Sequence, residues 1–183
     1  MKTSSSLQGR NVHHAFADTP IGRLTLAATD AGLIGVLWPG EQPGRVALTL
    51  GPAPSQHPVL EAAIEQLDEY FKGRRRSFDF PTDVHGTAFQ ERVWEVMWTI
   101  PYGEVRTYGQ IAAAIGQPTA SRAVGGAANH NPLSIFSPCH RIVGANGSLG
   151  GFAGGLDTKR KLLELEGHRL GSDGRLMARS LLH

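Results

Sequence analysis

From Asn11 to Trp38 the apolar residues come in short runs: Val12, Phe16, Leu24, Leu26, Leu33, Ile34, Val36 and Leu37, broken by Asp18-Thr19-Pro20 and Asp30-Ala31-Gly32. Short runs separated by turn-forming clusters predict a three-stranded antiparallel meander. After a Pro/Gly-rich loop from Pro39 to Pro58 the period changes. Leu60, Ala63, Ile64, Leu67, Tyr70 and Phe71 recur at helical spacing, with Pro58 near the first turn and Gly73 just past the end. This helix is expected to cover one face of the sheet. Arg74-Arg75-Arg76 follow its C-terminus, where cations complement the helix dipole and solvate a surface.

The character changes again at Gly86. Thr87 and Gln90 form a capping-box signature, and Phe89, Val93, Val96, Met97 and Ile100 follow on one helical face. Trp94 and Trp98, an i,i+4 aromatic pair, are read as packing residues. Thr107 can cap Tyr108 to Ile115, Gly116 stops that helix, and Gln117-Pro118-Thr119 turns the chain into a second one, Ala120 to Asn129. This is a helix-turn-helix pattern. Its second helix offers Ala120, Ser121, Ala123 and Gly125 around the single long side chain of Arg122. That is too little to read major-groove bases, but it suits close backbone approach to a narrow groove entered by one arginine. An ordinary tightly packed helix pair fits the same residues equally well.

Asn131-Pro132 ends the pair, and a glycine-rich segment from Gly144 to Gly155 reads as a pocket-lining loop, because it lacks the Gly-x-Gly-x-x-Gly order of a dinucleotide site. Asp157 is read as the cap of a last core helix carrying Leu162, Leu163 and Leu165, with Glu166 in its final turn and Gly167 at its end. The resulting organisation is a flexible leader (1–10), an N-terminal α/β lobe (11–85), a C-terminal lobe (86–170) and a variable tail (171–183).

Composition narrows the chemistry. The 183 residues carry a formal charge of +2, which is compatible with a nucleic-acid partner without requiring one. No apolar run approaches the roughly 18 residues of a membrane span, and the N-terminus has no apolar signal-peptide core, so a cytoplasmic location is expected. Cys139 is the only cysteine. It can make neither an internal disulfide nor a multi-cysteine zinc site, which leaves a small buried hydrophobe or a nucleophile. Its setting, Pro138-Cys139-His140-Arg141, favours the nucleophile, because an adjacent imidazole and guanidinium can stabilise a thiolate.

These motifs together resemble the O6-alkylguanine-DNA alkyltransferases. The resemblance rests on Gly86-Thr87-Ala88-Phe89-Gln90, Ile100-Pro101-Tyr102-Gly103, Thr107-Tyr108-Gly109, Arg122-Ala123-Val124-Gly125, Asn131-Pro132, Pro138-Cys139-His140-Arg141 and Gly150-Gly151-Phe152-Ala153-Gly154-Gly155-Leu156. It implies a ribonuclease-H-like α/β lobe followed by a helical lobe with a helix-turn-helix. It also implies single-turnover repair, in which Cys139 takes a methyl or small alkyl group from O6 of guanine, with O4 of thymine a further candidate. By the same resemblance His140, bridged through water to Glu166, accepts the thiol proton, and Tyr108 donates to N3 of the base. Arg122 fills the gap left by the flipped nucleotide, with Ala120, Ser121, Ala123 and Gly125 along the DNA-facing helix. Asn131, Ile142, Phe152 and Ala153 line the pocket, where the carbonyls of Cys139 and Ile142 accept from the guanine amino group and the Ala153 N–H donates to O6.

The chain has Phe152 where many members carry tyrosine and Ala153 where some carry serine, so a hydroxyl contact is lost while the stacking wall stays. The resemblance implies double-stranded DNA carrying O6-alkylguanine as the partner, a monomer in solution, and no cofactor. No metal is expected either: a single cysteine excludes the cysteine-rich zinc lobe of the related dual regulators, although eight histidines, including His13, His14 and His57, are present. The rival readings are a non-enzymatic alkyltransferase-like protein, against which Cys139 argues, and a cysteine hydrolase, against which the direct adjacency of Cys139 and His140 argues.

Overall fold

A computed structural model of the chain describes residues 11–41, 45–46, 48–51 and 53–177. The stretch read as a leader, residues 1–10, lies outside the described residues, as do 178–183. The described residues divide into two compact units between Gly86 and Thr87, and their elements give a mixed α/β fold.

In the first unit, β1 (His13–Thr19), β2 (Gly22–Thr29) and β3 (Gly32–Leu37) form an antiparallel sheet in sequence order. His13 stands opposite Ala28 and Thr19 opposite Gly22, and a bulge between Ala27 and Ala28 shifts the register with β3. The helix α1 (Pro58–Phe71) packs on all three strands, as the period predicts. Its Leu60, Ala63, Leu67 and Tyr70 are buried, as are Leu24, Leu26, Leu33 and Val36 of the sheet. Proline in the first turn supplies a helical φ where the N–H would have no partner, and Gly73 leaves the helix at φ 69°.

The second unit opens with α2 (Ala88–Trp98), started by the expected capping box: Gln90 N–H donates to Thr87 Oγ1 (3.2 Å) and Thr87 N–H to Gln90 Oε1 (2.9 Å). Trp94 is buried and its indole N–H donates to the Ala127 carbonyl at 2.9 Å. Trp98 departs from the expectation. At the last helical position it lies beyond the packed stripe and is 40% exposed. Two further helices, α3 (Tyr108–Ala114) and α4 (Ser121–Asn129), pack on each other, and both pack on α2, giving the helix-turn-helix. Thr107 and Gln110 form a second capping box at the start of α3.

One pairing escaped the pattern: β4 (Arg106–Thr107) runs parallel to β5 (Ile142–Val143), which follows a single 3-10 turn, Cys139–Arg141. Two-residue strands are too short to show a period. The last helix, α5 (Leu156–Leu165), is not capped by Asp157. Gly155, at φ 86°, takes the capping position, so the helix starts earlier and Asp157 falls in its first turn, where its charge still suits the dipole. Residues 169–177 fold back onto this unit. The Leu176 N–H donates to the Gly147 carbonyl (2.9 Å), and the Leu176 side chain is buried with Val105, Val143, Leu149 and Leu163. No helix among the described residues is long and apolar enough to cross a membrane.

The Thr107 cap joins β4 to the helix that carries Tyr108. Thr107→Ala is expected to lower unfolding free energy by about 1 kcal/mol, measured by urea denaturation; an unchanged midpoint would show that the cap contributes nothing.

Candidate active site

Asn131 ends the turn after α4 and holds the loop that leads to the thiol. Its side chain is buried, its Nδ2 donates to the Ser137 carbonyl (2.8 Å), and its Oδ1 accepts from the Leu133 N–H (3.1 Å). Inside this clamp Ile135 sits at φ 77°, the only non-glycine residue at positive φ among the described residues. A β-branched residue there is strained by about 1–3 kcal/mol, so packing and the Asn131 clamp must hold it. The Cys139 N–H then donates to the Ser137 carbonyl (2.8 Å), and the 3-10 turn presents a thiol residue that is only 6% exposed.

The two residues after Cys139 are tied to one carboxylate. His140 Nε2 lies 2.7 Å from Glu166 Oε1. Arg141 donates from Nε to Oε2 (2.8 Å) and from NH2 to Oε1 (2.9 Å), and the Gly103 N–H donates to Oε2 (3.2 Å). A third guanidinium donor reaches the Ile100 carbonyl at 2.5 Å. The Tyr102 ring lies under the guanidinium, 5.9 Å from its carbon to the ring centre, and the Tyr102 hydroxyl donates to the Leu165 carbonyl.

Burial works against the Glu166 carboxylate, but the bonds from His140 and Arg141 overcome it and hold the carboxyl well below its ordinary value. With Arg141 balancing that charge, burial dominates at His140 and pushes the imidazole below its ordinary value; Arg141 and Lys159 add to the effect, and Glu166 opposes it. The neutral ring therefore donates from Nε2 to Glu166. Its Nδ1, buried and without a hydrogen-bond partner among the described residues, is left as a base.

Tyr108 starts α3 between two glycines. A Cβ on Gly125 would meet its ring at 3.6 Å, and a Cβ on Gly150 would push against its hydroxyl, at a φ of 63° that strains any other residue. Burial raises the Tyr108 phenol above its ordinary value, with the Cys139 charge adding to it, which keeps the hydroxyl protonated. Phe152 stands edge-on to His140, ring centres 6.4 Å apart. Behind the thiol, the fully buried Lys159 donates from Nζ to the carbonyls of Ile142 (2.6 Å) and Leu149. Burial pushes its ammonium down to about 8, while the thiolate charge of Cys139 favours it. Cys139 thus has a buried cation in its field.

Residues 12–84 match the model of the 6-O-methylguanine DNA methyltransferase ribonuclease-like domain, and residues 88–168 that of the 6-O-methylguanine DNA methyltransferase DNA binding domain. The chain belongs to the 6-O-methylguanine DNA methyltransferase family. It is 46% identical over 164 residues to the methylated-DNA–protein-cysteine methyltransferase of Mycobacterium tuberculosis, covering 88% of this chain and 96% of the relative. It is 45% identical over 157 residues to the protein of that name from Methanosarcina acetivorans, covering 85% and 99%. The crystal structure of Mycobacterium tuberculosis OGT in complex with DNA superposes with a TM-score of 0.75 at 46% identity, covering 84% of this chain and 92% of that one.

Within this family member the structure brings Cys139, His140 and Glu166 into one cluster, with Tyr108 near enough to feel the thiolate. It differs from the sequence expectation at several points. His140 touches Glu166 directly rather than through water. Arg141, expected to stabilise the thiolate, is committed to Glu166 and Ile100 instead, because it leaves the turn toward the buried carboxylate. The carbonyls expected to receive a guanine amino group already accept one bond each: Ile142 from Lys159, and Cys139 from the Ile142 N–H. Each retains a second lone pair. On α4, Arg122 and Ala123 are exposed, Ala120 and Ser121 are partly so, and Gly125 turns inward to Tyr108. Asn131 and Ile142 are buried, and Phe152 and Ala153 are partly exposed. Sequence reasoning missed Lys159, although a lysine three and four residues before Leu162 and Leu163, on the apolar face of a helix, is the signal that marks it.

A carboxyl held low in the fold contributes stability above its unfolded value, near 4.5, and loses it as pH falls toward the folded value. Glu166→Gln leaves Arg141 buried without its counterion and is expected to cost about 3–5 kcal/mol at pH 7. By urea unfolding, the gap between the two proteins should narrow below pH 4.5; a constant gap would mean that Glu166 is not ionised in the fold.

Proposed function

We propose that this chain repairs alkylated DNA by direct reversal, removing a methyl or small alkyl group from O6 of guanine onto Cys139. The observation that carries the reading is the single thiol, set beside a neutral buried imidazole with one free lone pair, in a member of this family. Cys139 gives its proton to Nδ1 of His140, directly or across one water. The thiolate, favoured by Lys159, attacks the alkyl carbon in line with the C–O6 bond. An S–C bond forms as the C–O bond breaks, and the electron pair goes to O6 of the base. Tyr108 donates its phenolic proton to N3, so the purine leaves as neutral guanine, and the proton held by His140 restores the phenol. The thioether has no route back to a thiol, so each chain acts once.

A base paired in a duplex cannot reach a thiol this deeply buried, so the nucleotide must leave the stack. The reading gives Arg122, exposed on α4, the vacated place, and lets the small residues Ala120, Ser121 and Ala123 bring the helix backbone close to the groove. Phe152 forms a wall for the flipped base, and the Ala153 N–H donates to O6. Binding as a monomer to damaged duplex, in the cytoplasm, completes the reading. Cys139 itself favours transfer over binding without chemistry.

With excess duplex carrying O6-methylguanine, base analysis should show removal stopping at one lesion per chain, while continued turnover would overturn the single-use reading. Arg122→Ala should slow repair in duplex by about tenfold or more and leave reaction with free O6-alkylguanine within about twofold. Equal slowing in single-turnover assays would remove the arginine from its assigned place.

A further inference from the structure

His13, Asp30 and His57 come from three separate segments of the first unit and meet at one end of its sheet. His13 begins β1, Asp30 lies in the turn after β2, and His57 is the residue before the first turn of α1. The antiparallel register places His13 opposite Ala28, two residues before Asp30. Nε2 of His13 and Nε2 of His57 each lie 3.7 Å from Oδ1 of Asp30, and each of the three residues offers a ligand atom within 4.8 Å of the others. At 3.7 Å neither contact is a hydrogen bond. The rings stack, centres 4.7 Å apart and 27° from parallel, so both imidazoles address the same carboxylate from one side.

Two details give the cluster a direction. Nδ1 of His13 lies 3.1 Å from the Ser55 hydroxyl, which can hold the proton on that nitrogen and leave the Nε2 lone pair facing Asp30. Nδ1 of His57 is buried without a hydrogen-bond partner, so neither nitrogen of this ring is satisfied among the described residues. Such a ring calls for a reason. In a tetrahedral site with bonds of about 2.0–2.1 Å, neighbouring ligand atoms stand about 3.4 Å apart. The two His–Asp separations of 3.7 Å are a few tenths of an ångström from that, and all three ligand atoms lie within 4.8 Å of one another, so side-chain rotations bring them to ligand spacing.

We infer that His13, Asp30 and His57 form a binding site for a borderline divalent transition cation of the zinc or nickel class. Two imidazole nitrogens and one carboxylate oxygen suit such ions and disfavour magnesium or calcium, which take oxygen ligands. The Asp30 side chain is 83% exposed, so a fourth position opens to solvent. The bound ion would pin the start of β1, the β2–β3 turn and the start of α1 to one another, a stabilising role within the first unit, whereas Cys139 belongs to the second. Sequence reading expected no metal because it counted cysteines. Ligands at 13, 30 and 57 have no local spacing to betray them.

The test is titration of the purified full chain with Zn²⁺ by calorimetry and with Co²⁺ by absorption, for the native protein and for His57→Gln and Asp30→Asn. His57 makes no side-chain cap to α1 and Asp30 is exposed, so neither change should unfold the protein, and circular dichroism checks this. The expected result is one saturable equivalent of metal, a rise in melting temperature with Zn²⁺, weak visible Co²⁺ bands without a thiolate charge-transfer band, and affinity reduced about tenfold or more in both variants. Absence of saturable binding overturns the inference. So does binding that both variants keep, which assigns the ion to other histidines, or an intense near-ultraviolet Co²⁺ band, which assigns it to Cys139.

Discussion

The tie between Glu166 and its donors governs the second unit. One carboxylate takes up His140, two donors of the Arg141 guanidinium and the Gly103 N–H, so it joins the 3-10 turn, the segment after α2 and the end of α5. A buried carboxylate, a guanidinium and an imidazole are each costly alone. Together they satisfy one another, and with Arg141 offsetting the charge of Glu166, burial keeps His140 neutral. That neutrality is chemically useful: an imidazolium could not accept a proton from Cys139, and an imidazole without a fixed partner on Nε2 would not present a defined lone pair on Nδ1.

The thiol itself is positioned by backbone rather than by charge. Asn131 bridges the loop, Ile135 holds a strained conformation inside it, and β5 pairs with β4 immediately beyond the turn. The same parallel pair ends at Thr107, whose cap launches Tyr108, so two short strands place Tyr108 and Cys139 on a common frame. Glycine at 150 leaves room for the Tyr108 hydroxyl. Lys159 then ties the carbonyls of Ile142 and Leu149 together, holding the strand after the thiol to the glycine-rich loop.

What could be read in the sequence was what repeats or punctuates. The meander, α1, the Thr87 capping box, the Thr107 cap and the helix-turn-helix followed from periods and caps, and the adjacent pair Cys139 and His140 stood out as a motif, whereas Tyr108 and Glu166 entered through the family resemblance; the Gln110 half of the second capping box was not read. Single-residue geometry was harder. Gly155 displaced Asp157 from the cap because a left-handed glycine starts a helix without a side-chain oxygen. Trp98 turned outward because i,i+4 spacing drifts off the packed stripe at a helix end. Arg141 went to Glu166, and Lys159, for which the sequence suggested no role, is the buried cation in the field of Cys139, since adjacency in sequence says nothing about which way a long side chain leaves a turn. The His13, Asp30 and His57 cluster was invisible for the same reason, being assembled by tertiary contact.

The proposed proton transfer to His140 and alkyl transfer to Cys139 converge on one atom, the sulfur. Peptide mass mapping of the protein after incubation with a duplex containing one O6-methylguanine, beside Cys139→Ser, reads that atom directly. A gain of one methylene unit on the peptide holding Cys139, absent in the serine variant, is the predicted result. Restored guanine with the added mass on any other residue, or tight binding to the lesion with no added mass, would contradict the assignment of Cys139 as acceptor.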